Sequence, residues 1–188
     1  EMLPPGDLFV FATFTRHPLT SRSHDRAVEA NVTFPGLTAA NHWSVVDQQS
    51  YDAHIGLSAL VRDKVDEFNH SINKTSLSNA IRVIYQLGSL RSLFLSTASD
   101  AYTHAIVSRV DLLFTRPTDV RLFKTSVVVP NYADFGGLND RLMAGPLHPV
   151  LQLMNRTTTW AKTGSLAEKL LRKSALDHGI SVRRASIG

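Results

Sequence analysis

The chain contains no cysteine, which removes disulfides, thiolate metal sites and cysteine nucleophiles without assigning a compartment. It has no apolar run close to the roughly 20 residues needed to cross a bilayer, so no membrane span is expected. No basic-then-apolar leader pattern occurs either. Its eight histidines form neither a His-x-x-x-His pair nor a His-Glu-x-x-His helix, which argues against a zinc enzyme. A Gly-x-Ser-x-Gly elbow is missing, and so is a glycine-rich loop ending in Lys-Ser/Thr; the usual settings of Ser-His-Asp hydrolysis and P-loop chemistry are therefore lacking. Positive charge is modest at a net +4 and spread along the chain, with Arg183-Arg184 as its tight cluster. A nucleic-acid binder concentrates such charge on one element or interleaves it with aromatics, so no nucleic-acid partner is expected.

What is present fits one folded domain over residues 1–188. The composition is 43% apolar and 19% charged across 188 residues, enough for a single core and too apolar for wholesale disorder. Four Asn-x-Ser/Thr triplets begin at Asn31, Asn69, Asn73 and Asn155. Chance explains them as well as a secretory lumen does. Both a lumenal (Golgi) and a cytoplasmic location therefore stay open.

Periodicity gives the order of elements. Leu8–Phe14 is a strand-length apolar run, and Thr15–Asn41 is polar and proline-punctuated, hence loop-like. Leu57–Phe68 places apolar residues on one helical face. A longer helix follows from a cap at Ser78 to about residue 97. His104–Phe114 reads as a strand and Ser126–Pro130 as a second one, stopped by proline. Leu147–Met154 has helix character. A last helix starts at Ser165, with Glu168 at capping-box spacing, apolar Leu166, Leu170, Leu171 and Leu176, and Gly179 as its stop. Ile180–Val182 closes the chain as a strand. Strands alternating with helices imply an α/β fold, a mainly parallel twisted sheet covered by helices on both faces. Ligands in such folds sit beyond the carboxyl ends of the strands.

Two constellations lie at such ends. Arg109 and Asp111 interrupt an apolar strand two residues apart, so both point to one face. They are either a structural ion pair or a site in which Asp111 meets a divalent cation or sugar hydroxyl and Arg109 meets phosphate. The second is Val129-Pro130-Asn131-Tyr132-Ala133-Asp134-Phe135-Gly136-Gly137-Leu138-Asn139-Asp140-Arg141. Two glycines allow close backbone approach or positive φ, and an amide, a carboxylate and a guanidinium follow at once. A turn with a helix cap is the plainer account. Trp43, Trp160 and Tyr132 are candidates for stacking on a sugar or base, or for simple packing.

An Arg-x-Asp-Leu strand, a Val-Val-Pro strand and Phe-Gly-Gly-Leu-Asn-Asp-Arg together resemble a family of small type-A-fold (GT-A-like) glycosyltransferase domains from algae, large algal viruses and bacterial polysaccharide loci. Glu168, Gly179-Ile180 and Arg183 or Arg184 match that family's tail loosely. The resemblance implies a three-layer sheet and transfer of a sugar from a nucleoside-diphosphate sugar to a glycan or glycoprotein acceptor. By the same resemblance, Arg109 and Asp111 hold the donor, with Mn²⁺ or Mg²⁺ on Asp111. Asp140 is the general base of an inverting reaction, and Gly137, Asn139, Arg141 and Glu168 face the acceptor. Two features depart from the family pattern. Its opening strand has no counterpart ahead of Leu8, so a domain without its first strand is expected. Arg109 replaces the first aspartate of the usual Asp-x-Asp, which puts metal dependence in question. The alternative is a non-catalytic relative that binds a glycan or a protein.

Overall fold

The computed structural model describes residues 7, 9–14, 40–65, 74–97, 102–109, 119–132, 136–163 and 167–187. It is a mixed α/β structure with six α-helices and two small sheets among these residues. Contacts divide the chain into two compact units, Glu1–Thr97 and Ala98–Gly188.

In the first unit, β1 (Phe9–Phe14) pairs in parallel with β2 (His42–Asp47), Phe9 opposite His42. The Phe9 and His42 rings stack at 4.7 Å, and Phe94 meets Phe9 edge-on at 5.0 Å. Asp47 ends β2 and caps α1 (Gln48–His54), its Oδ1 accepting the Ser50 N–H at 3.0 Å. Gly56, at φ 67°, turns the chain into α2 (Leu57–Val65), a conformation that suits glycine. Beyond it, α3 (Lys74–Thr97) buries Leu77, Ile81 and Ile84. Arg82 of α3 grips Asp52 of α1 through two bonds of 2.8 Å.

The second unit carries a four-stranded sheet in the order β3-β5-β4-β6. Its strands are β3 (His104–Ser108), β4 (Val127–Pro130), β5 (Leu142–Pro146) and β6 (Val182–Ala185). β5 is antiparallel to both β3 and β4, while β4 and β6 are parallel. Three strands thus share one direction, and the reversed β5 lies between them. Central β4 is buried at all four positions, as expected for a strand covered on both faces. On one face Val128, Leu142 and Ala144 pack with Phe123, from a 3-10 turn at Val120–Phe123, and with Ile187. Strand alternation turns Val127, Val129 and Met143 to the other face. The helices of this unit are α4 (Leu147–Met154), α5 (Thr157–Thr163) and α6 (Ala167–Asp177).

Several expectations shift. Ser78 does not cap α3: the helix begins four residues earlier, and the Ser78 hydroxyl donates back to the Lys74 carbonyl at 2.8 Å, a bond open to serine inside a helix. Leu176 is 68% exposed, while Ser174 and Ala175 are buried beside Leu170 and Leu171. The true inner face of α6 is thus partly small and polar. The final strand starts at Val182 rather than Ile180. Most of Thr15–Asn41, residues 66–68, 110–114 and the proposed cap Ser165 lie outside the described residues.

Candidate functional site

The strand directions bring three carboxyl ends, those of β3, β4 and β6, to the same edge as the amino end of β5. Arg109 follows β3, Asn131 and Tyr132 follow β4, and Asn139–Arg141 precede β5. The β3–β5 ladder runs on past the strands, with the Arg109 N–H donating to the Arg141 carbonyl at 2.9 Å; beside it the Asn131 N–H reaches Ala185 O at 3.0 Å. One edge of the sheet therefore collects Arg109, Asn131, Tyr132, Asn139, Asp140 and Arg141.

The glycine pair serves two separate ends. Gly136 adopts φ 83°, in the left-handed region, where a side chain is strained. Gly137 is required for space: a Cβ there would lie 2.1 Å from the backbone C and O of Glu168. The loop is laid directly on the first turn of α6, where the Leu138 N–H donates to Glu168 O at 2.9 Å. Arg184 of β6 closes the same junction by donating to Gly137 O at 2.5 Å.

Asn139 is fully buried. Its amide donates to Tyr132 O at 2.6 Å and its Oδ1 accepts the Arg141 N–H at 2.9 Å. Its side chain thus fastens the two ends of the loop to each other, and a buried amide occupied in this way holds backbone. Asp140, next along, keeps 9% of its side-chain surface exposed and lies 3.6 Å from Nη1 of the buried Arg156. Tyr132 is 46% exposed at this edge, Trp43 is exposed in the other unit, and Trp160 is buried, so Trp160 serves packing.

Glu168 enters the cluster from α6. Its carboxyl is held above the ordinary range, first by burial and further by the charge of Asp140; a backbone hydrogen bond and the charges of Arg141 and Arg109 act the other way. Two carboxylates thus sit among cations, an arrangement that marks candidate sites in clefts and structural networks alike. Asp111 lies outside the described residues, so its pairing with Arg109 and its place relative to Asp140 do too. Among the described residues no group of three His, Asp or Glu is placed to hold a metal. Around Asp140 and Glu168 the positive charge already comes from Arg109, Arg141 and Arg156, so this cluster does not suit an additional divalent cation.

Arg156 has no counterpart in the sequence reading. Its neighbour Asn155, which opens an Asn-x-Thr triplet, is exposed at the break between α4 and α5. The available signal is an arginine two residues after the apolar Leu153-Met154, at a helix carboxyl end where a cation is favoured.

No family model matches the chain, and no curated protein or solved structure matches it either.

Proposed function

We propose that this chain is a glycosyltransferase of the GT-A-like, three-layer type, acting on a nucleoside-diphosphate sugar with a glycan or glycoprotein acceptor. The observation that carries this reading is the junction of Arg109, the Gly136–Arg141 loop and Glu168 at one sheet edge. Ligands of open α/β sheets favour that edge. Arg109 supplies cationic charge for a diphosphate leaving group, whose negative charge grows as the sugar departs, and Arg141 faces the acceptor. Asp140 takes the acceptor hydroxyl's proton as general base, and attack from the opposite face inverts the anomeric carbon. Glu168 and Gly137 border the acceptor side, with Asn139 holding the loop in shape. Asp111 would hold a Mn²⁺ or Mg²⁺ ion, which would supply further positive charge to the departing diphosphate.

Titration calorimetry with UDP- and GDP-sugars, with and without Mn²⁺, tests donor binding. Asp140→Asn is expected to lower transfer about a hundredfold or more while donor affinity stays close to that of the parent. Normal turnover in that variant rules out Asp140 as the base. A second reading is a non-catalytic glycan- or protein-binding relative, favoured by the near-burial of Asp140 against Arg156. Donor hydrolysis without acceptor separates the two, since only the enzyme releases free sugar.

A further inference from the structure

Arg156 is the only charged residue among the described ones that is almost completely buried, at 1% exposure. Burying a guanidinium is costly unless its donors are matched. Nε donates to Leu153 O at 2.8 Å, at the carboxyl end of α4. Nη2 lies 4.0 Å from Met143 Sδ, a weak acceptor. Among the described residues, the carboxylate nearest to Nη1 is that of Asp140, with Oδ2 at 3.6 Å. Burial works against the charge of Arg156, and Asp140 and Glu168 both support it. A purely structural anchor closes on its carboxylate, as Arg82 does on Asp52 with two bonds of 2.8 Å. Arg156 instead meets Asp140 through one longer contact, Nη1 to Oδ2 at 3.6 Å.

We propose that Arg156 is a positioning residue for Asp140, an inference that rests on the glycosyltransferase reading. Asp140 is nearly buried and shares its surroundings with a second carboxylate, Glu168. Arg156 approaches from the core at the end of α4, where the Leu153 carbonyl holds its Nε, and its Nη1 faces Asp140 Oδ2, so that it fixes where the Asp140 carboxylate lies.

Two measurements on the full chain decide this. In urea unfolding of Arg156→Met, Asp140→Asn and the double variant, the loss in the double variant should fall short of the sum of the two single losses. Additive losses mean that the pair is uncoupled and overturn the inference, whether or not the chain transfers sugar. With a panel of UDP- and GDP-sugars, folded Arg156→Met should lose about tenfold or more in kcat with donor KM within about twofold of the parent, and Arg156→Lys should recover part of the loss. Unchanged kcat in folded Arg156→Met also overturns it. If the parent turns over no donor but the pair is coupled, the glycosyltransferase reading falls and Arg156–Asp140 is a structural pair.

Discussion

Two interior arginine–aspartate pairs, Arg82–Asp52 in one unit and Arg156–Asp140 in the other, use the same groups to opposite effect. Arg82 and Asp52 meet at 2.8 Å in a two-bonded fork, about one-fifth exposed on each side. Arg156 and Asp140 are far more buried, at 1% and 9%, yet stand 3.6 Å apart. Solvent pays part of the cost of charge in the first pair, and its geometry is complete. In the second the cost is greater and the geometry looser. Arrangements that forgo local optimality are expected where a side chain has chemical work to do.

The largest expected effect on this contrast is the loss of transfer in Asp140→Asn described above, set against unchanged transfer in folded Asp52→Asn. Next is Gly137→Ala: its methyl would collide with the Glu168 backbone at 2.1 Å, forcing the loop off α6. A loss of about 3 kcal/mol or more is expected in urea unfolding. Gly136→Ala meets no backbone atom within 4 Å and bears only the strain of φ +83°, about 1–2 kcal/mol. Equal losses at the two glycines would refute the packing explanation.

Breaking the pairs sharpens the comparison further. Arg156→Met leaves a nearly buried carboxylate without its cation and should cost about 3 kcal/mol. Asp52→Asn, in the partly exposed pair, should cost about 1 kcal/mol or less. The reverse order would mean that the loose pair is not the demanding one.

The smallest effect concerns pH. Because the folded chain holds the Glu168 carboxyl above its usual value of 4.5, it binds that proton more tightly than the unfolded chain does. This contribution to stability is full below pH 4.5 and is lost as pH rises through the raised value. Glu168→Gln should therefore be more stable relative to the parent at pH 7 than at pH 4, measured by thermal unfolding. An unchanged difference across that range removes Glu168 from the cluster.

How much of this was legible in the residues depended on whether local signals decided the outcome. Leu147–Met154 is a helix over the span its apolar spacing predicts. Gly179, at φ 63°, ends α6 as expected, with its N–H on Leu176 O and the Ile180 N–H on Ala175 O, the pattern of a glycine-terminated helix. By contrast β5, Leu-Met-Ala-Gly-Pro, contains little that favours a strand; it is a strand because β3 and β4 flank it. β2 with α1, and the short α5, likewise lacked a period long enough to read. At the site, the reasons for the two glycines could be named in advance, but not which glycine served which. Nor does spacing reveal that Asn139 clamps two loop ends or that Arg156 lies behind Asp140, because these contacts join separate elements.

The most direct test of the central claim, that this sheet edge receives a nucleotide sugar, is a structure of the chain with UDP or GDP bound. The account predicts the diphosphate against Arg109, with Asp140 facing the space where a sugar would extend. A diphosphate bound away from this edge, or an Asp140 closed tightly onto Arg156 with no room beside it, would contradict it.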